Sequence, residues 1–436
     1  MRISGRTAVS IAASLEHHLH ARQRGPGEAL PTVRDLAATL HVSPATVAAA
    51  YKLLRTRGLV AGRGRRGTRV SAGPVAPAPP AAPAVPEGAV DLATGNPDPL
   101  LLPAVGPALH AIEDDVRLYG DQPEKGGLRA FAGAEFEADG IPARSVAVLS
   151  GAMDAIERVL REHLRPGDSV AIEDPSFPGL IDLISASGYA AVPFGIDEEG
   201  PLPGEVQAAA AGGCRAIIMT PRAQNPTGAA LSAGRASEVK RILRGFPETL
   251  LIENDYAAPV AGAPFQTVRA DSRSRWAVIR STSKFLGPDL RVAVMAGDEL
   301  TVGRVRGRQA LGARWVSHIL QQLALTLWSD PSSGRRLARA GEIYAQRRIA
   351  ALAALRHHGI EARSASGFNI WIPLRDEARV VRALAESGWA VAAGERFRIR
   401  SAPGIRVTVS TLPPADAGRF AADLAAALLP RTAAFA

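Results

Sequence analysis

Residues 276–291 read WAVIRSTSKFLGPDLR, an apolar run that breaks into Ser281-Thr282-Ser283-Lys284 and reaches Arg291 shortly after Pro288. The first six residues predict a strand. A lysine amine at a strand end can form a Schiff base with an aldehyde if burial and nearby positive charge keep it unprotonated often enough to react. Arg291 and the hydroxyls of Ser281 and Ser283 are suited to hold a phosphate beside it. An exposed lysine is the commoner fate of any Lys, so the case for Lys284 rests on what surrounds it.

Outward from this stretch, VAVLS (146–150), SVAIED (169–174), AIIMTP (216–221) and LLIEND (250–255) are short apolar runs alternating with helix-like segments. That alternation predicts an α/β domain with a largely parallel sheet covered by helices. FNIWIPL (368–374) and GIRVTVSTL (404–412) predict strands of a smaller α/β subdomain, flanking a helix around Val380 to Glu386.

Chemically suggestive residues sit where these strands end. Ser150-Gly151-Ala152 opens a helix, where backbone amides and the positive end of the helix dipole suit a phosphate. As a turn alone it is weak. Phe177 in EDPSFPG can stack on an aromatic ring, although an isolated Phe is more often core. Asn225 in NPTG, and Tyr256 after Asn254 and Asp255, can donate hydrogen bonds to a ring oxygen. Asn-Pro is otherwise only a turn former.

The first 70 residues differ in kind. They hold twelve Lys/Arg against three acids, an excess equal to the whole formal net charge of +9. Charge so confined suits phosphate neutralisation on nucleic acid, whereas a merely solvated basic face does not explain the confinement. Ile11, Leu15 and Leu19 mark one helix, Val33, Leu36, Ala37 and Leu40 a second after Pro31-Thr32, and Val47, Ala50, Tyr51 and Leu54 a third after a break at His41 to Ser43. Leu59-Val60 and Thr68 to Val70 predict two small strands joined by Gly62-Arg63-Gly64-Arg65-Arg66-Gly67. Three helices and a basic hairpin are the parts of a winged helix-turn-helix.

Residues 71–89, beginning SAGPVAPAPPAAPAVPEG, form a Pro/Ala-rich spacer. The expected organisation is therefore a DNA-binding domain at 1–70, a linker at 71–89 and a second domain at 90–436. A single cysteine, Cys214, excludes an internal disulfide. No secretory pattern opens the chain and no run approaches roughly 20 apolar residues. A cytoplasmic protein without membrane insertion is expected.

The stretch LPTVRDLAATLHVSPATVAAAYKLLRTRGLV (30–60) with its glycine-bounded basic wing resembles the GntR family of DNA-binding domains. The resemblance implies duplex DNA as partner. It places Arg34 and Lys52 on backbone or bases, Ser43 and Thr46 at the start of the recognition helix with Tyr51 further along it, and Arg63, Arg65, Arg66 and Gly67 in the wing. One departure is Ala45, where the family often has arginine. Residues 90–430 are similar to fold-type-I enzymes dependent on pyridoxal 5′-phosphate (PLP), on the order Tyr119, Gly151-Ala152, Phe177, Asn225, Tyr256, Lys284, Arg291, Arg406. The likeness implies a homodimer in which Tyr119 reaches the neighbouring subunit's cofactor phosphate, and Arg406 as receptor for an amino compound's carboxylate. No metal site is implied. A GntR-like head on an aminotransferase-like body identifies the chain as similar to the MocR family of transcription regulators. TPRAQNPTG, SKFLGPDLRVA and WVSHILQ are similar to the branch of that family that controls vitamin B6 metabolism.

Catalysis by PLP normally needs a carboxylate against the pyridine nitrogen, because the protonated ring is the better electron sink. Family relatives carry it where this chain has Asn254. Asp255 can replace it only if a bulge shifts the strand, since alternation otherwise turns it away. Three readings stay open: a regulator that senses PLP, alone or joined to an effector amine; a working aminotransferase with a DNA-binding head; and a structural dimer module that has lost cofactor binding.

Overall fold

The computed structural model describes residues 3–20, 27–56, 59–62, 68–70, 85–112, 118–121 and 126–429. The chain divides into two compact units, one built on residues 1–81 and the other on most of residues 82–436.

In the first unit, α1 (Ala8–His20), α2 (Val33–Leu40) and α3 (Pro44–Thr56) precede the antiparallel pair β1 (Val60–Gly62) and β2 (Thr68–Val70). Thr32 caps α2 by accepting from the Asp35 amide at 3.2 Å, and His41 ends it in the left-handed region at φ 54°. This is how the chain makes the sharp break foreseen between helices. Ile11, Leu15, Leu36, Ala37, Val47, Ala50, Tyr51 and Leu54 are buried together, while Leu19, Val33 and Leu40 pack at the edge of that core. The helical spacing thus marked the inward faces.

The second unit contains an eight-stranded sheet of β4 (Val146–Leu149), β5 (Ser169–Asp174), β6 (Ala190–Asp197), β7 (Gly200–Pro201), β8 (Ala216–Met219), β9 (Leu250–Asp255), β10 (Trp276–Ser281) and β11 (Ala293–Gly297). Their order is β4-β11-β10-β9-β8-β5-β6-β7. The central strands β5, β8, β9 and β10 run parallel, and β11 returns antiparallel between β10 and β4. Nearly all residues of these central strands are buried, as expected when both faces are covered. The smaller sheet orders β12 (Asn369–Pro373), β14 (Gly404–Thr408), β13 (Trp389–Ala393) and β3 (Val90–Leu92), with the foreseen helix at Glu377–Glu386. β13 and β3 carry little strand signal of their own, because their runs are short and mixed with alanine and acid.

Candidate functional site

A cavity of about 210 Å³ opens where β4, β5, β8, β9 and β10 end. Among the expected residues its lining includes Ala152, Phe177, Asn225, Asn254, Tyr256, Ser281, Ser283, Lys284 and Arg291. Met153, Ser176, Leu180, Thr220 and Pro288 complete it. Each of these five lies within a few residues of a strand end or of Arg291, and none of them carries a chemical signal of its own in the sequence.

Lys284 is half-buried and donates from Nζ to the Gly95 carbonyl at 2.8 Å. Burial and the nearby Arg406 guanidinium lower its amine from the usual lysine value to about 8, through desolvation and like-charge repulsion. The neutral, nucleophilic form is therefore roughly a tenth of the population at pH 7, far more than for an ordinary lysine. Ser281 and Ser283, just before it in the chain, share a hydroxyl hydrogen bond of 2.8 Å.

A glycine turn precedes Ala152, which lines the cavity together with Arg291. Gly151 has φ 101° and ψ 166°, a backbone conformation nearly closed to other residues, and it starts the helix Ala152–His163. A Cβ added there would stand 2.7 Å from Arg291 Nη2. Arg291 itself adopts φ 50° and donates to the Ser150 carbonyl at 3.3 Å. Ser150 lies behind the turn, with its amide donating to Asp154 at 3.0 Å.

Asn225 lies on a loop held from several sides. The Gln224 amide donates to Glu173 at 3.1 Å and to the Pro175 carbonyl at 2.9 Å, the Ala223 amide donates to Ser366 Oγ at 2.7 Å, and the Tyr256 hydroxyl donates to the Ala223 carbonyl. Burial raises the Tyr256 phenol well above its ordinary value, so it acts as a donor. Arg406 is buried beside the cavity. It donates to Asn225 Oδ1 at 3.2 Å and to the Ala93 carbonyl, and its guanidinium lies 4.9 Å from the Phe397 ring. Burial holds it down to about 10, still charged at neutral pH. Phe177 is positioned by its neighbours: Asp174 accepts from the amides of Ile399, Arg400 and Ser401 at 2.8–2.9 Å, and the Ser176 amide donates to the Phe397 carbonyl.

Two expected residues stand elsewhere. Asp255 is no cofactor-side group: it is fully buried, with Arg222 Nε at 2.8 Å and Arg280 Nε at 2.9 Å. Burial opposes its charge, but the two arginines outweigh that and keep it below the usual carboxylate range. The unbroken β9–β10 register, with Asn254 opposite Ile279 and Asp255 opposite Arg280, leaves no bulge to turn it round. Tyr51 cannot face DNA, because it is only 1% exposed and its hydroxyl donates to the Pro31 carbonyl at 2.7 Å. Tyr119 is 81% exposed, with Trp315 edge-on at 5.7 Å, outside this cavity. In the first unit, Arg34 and Lys52 are exposed, and Ser43 caps α3 by accepting from the Thr46 amide at 3.1 Å. Arg63, Arg65, Arg66 and Gly67 lie outside the described residues.

A winged helix-turn-helix unit, joined to an α/β unit with a lysine-bearing cavity of this build, defines a transcription regulator with a PLP-dependent aminotransferase fold. The chain belongs to the MocR-type regulators: residues 7–70 match bacterial regulatory proteins of the gntR family and residues 87–424 match aminotransferase class I and II. It is 41% identical over 431 residues, 98% of this chain and 99% of the relative, to the vitamin B6 salvage pathway transcriptional repressor PtsJ of Salmonella typhimurium. It is 23% identical over 336 residues to the pyridoxine biosynthesis transcriptional regulator PdxR of Corynebacterium glutamicum, covering 74% of this chain and 73% of that one. The fold matches a multiple substrate aminotransferase from Thermococcus profundus with a TM-score of 0.71 at 20% identity, over 78% of this chain and 91% of that one. Among the described residues, no helix is long and apolar enough to cross a membrane and no cluster of ligand residues could hold a metal ion.

Proposed function

We propose that this regulator senses PLP in its second unit and adjusts vitamin B6 metabolism by binding an operator through its first. The observation that carries the reading is Lys284, an amine lowered to about 8 in a cavity that also presents Ser281, Ser283 and Arg291, with Arg291 packed close against Gly151. The residues fit the cofactor. The glycine turn, the two serines and Arg291 would hold its phosphate, Asn225 and Tyr256 its phenolic oxygen, and Phe177 the face of its ring. When bound, PLP supplies an aldehyde for covalent capture by an amine.

Lys284 Nζ is the nucleophile, and it gives up its proton readily because burial penalises the charged form. Arg406 would receive the carboxylate of an amino-compound effector, displacing its contact with Asn225 in part. Homodimerisation in the cytoplasm belongs to the same proposal, with Tyr119 contributed to the partner's site. Ligand binding shifts DNA affinity only to the extent that it favours one arrangement of the units over another. The relatives whose names report vitamin B6 and pyridoxine regulation support the choice of target.

The test pairs two measurements on the full-length protein: absorbance with added PLP followed by borohydride fixation and mass analysis, and anisotropy of its own upstream DNA with and without PLP. An adduct on Lys284 with changed DNA affinity is expected. No adduct, or DNA affinity indifferent to PLP, refutes the reading. A working aminotransferase is the second reading, favoured by Arg406 beside Asn225. It requires turnover of amino acids with 2-oxo acids.

A further inference from the structure

The Lys284 cavity is electrostatically one-sided. Its lining carries two cationic side chains, Lys284 and Arg291, and among the described residues no acid. The acids nearby are engaged elsewhere. Glu173 on β5 accepts from the Thr220 amide at 2.8 Å and from Gln224 at 3.1 Å, and burial pushes it up to about 7. Glu253 accepts from Thr267 at 2.7 Å and from the Val268 amide at 2.8 Å, and Asp255 is held by Arg222 and Arg280. On β9 the residue that faces the cavity is Asn254, and its buried Oδ1 has no hydrogen-bond partner among the described residues.

A buried amide left unsatisfied is costly, and rotation of its terminal group presents Nδ2 as a donor in place of Oδ1. A pyridine nitrogen can be a protonated donor, which needs an anion nearby, or an unprotonated acceptor. With no carboxylate among the described residues lining the cavity to stabilise the protonated form, the second is favoured.

We propose that the cavity binds PLP with its pyridine nitrogen unprotonated, as the acceptor of a hydrogen bond from Asn254 Nδ2. The inference rests on the reading that PLP binds here, and it adds a selectivity. Asn254 is a positioning residue that favours ring systems with a free nitrogen lone pair and disfavours fixed pyridinium cations, so the site recognises the cofactor while withholding the charge that would make it an efficient electron sink.

The test uses PLP labelled with 15N in the ring, bound to the full-length protein at neutral pH, together with the affinities of PLP and its N1-methyl analogue. In the wild type the nitrogen resonance should fall in the unprotonated range, and the methylated cation should bind at least tenfold more weakly. Asn254→Asp should move the resonance toward the pyridinium position. Asn254→Ala should relieve any steric penalty on the methyl group without restoring protonation. A bound cofactor with a protonated nitrogen in the wild type, or equal affinity for the two ligands, overturns this proposal alone. Failure of labelled PLP to bind at all overturns the PLP reading and this one with it.

Discussion

Asn254 and Asp255 are neighbours on one strand and serve opposite sides of it: the first lines the Lys284 cavity, the second is locked between Arg222 and Arg280. The salt-bridged side fixes the strand's rotation, and that rotation puts the amide in the cavity.

Asp255→Ala should therefore be strongly destabilising. Among the described residues it leaves Arg222 and Arg280 with the partly exposed Asp139 as their acidic partner. Removing one partner of a buried ion pair costs about 3–5 kcal/mol, which a chemical denaturation midpoint would read. A midpoint unchanged from wild type would show that the network carries no such weight.

Lys284→Ala should abolish the borohydride-fixed adduct while the protein stays folded by circular dichroism. In the wild type, the rate of PLP capture should rise with pH and level off above about 8, following the deprotonated amine. The same shift has a stability consequence. Between about 8 and the ordinary 10.5 the unfolded chain binds this proton more than the folded one, so the group's contribution to stability is lowest below that window and rises with pH through it. Capture that falls with rising pH would contradict the assignment.

Gly151→Ala should weaken PLP binding and lower stability together. The added Cβ meets Arg291 and the φ of 101° becomes strained. Strain of about 1–3 kcal/mol corresponds to loss of affinity on the order of tenfold or more if the turn relaxes away from the phosphate. Equal affinity in titrations of both proteins would mean that the turn does not hold the phosphate.

Arg34→Ala should reduce affinity for operator and unrelated duplexes alike, because an exposed arginine on α2 suits a backbone contact. The slope of log affinity against log salt should become shallower by about one. An identical slope would remove Arg34 from the interface.

Much of this was legible in the sequence because the signals were local. Strand ends announced Lys284, Asn225 and Tyr256, and helical spacing announced the inward residues of the first unit, including Tyr51, whose burial also ends its candidacy for DNA contact. What stayed hidden was long-range. Nothing near Asp255 in the chain points to Arg222 or Arg280, 33 and 25 residues away. The Ala93 and Gly95 carbonyls that meet Arg406 and Lys284 lie 313 and 189 residues from them.

Those two carbonyls bear on how tightly anything can bind. Because backbone carbonyls of the chain already accept from Lys284 and Arg406, a ligand that takes over either of those bonds enters by exchange, and its measured affinity is the difference between two sets of hydrogen bonds. A mutation that loosened residues 93–95 would sharpen binding without touching the ligand.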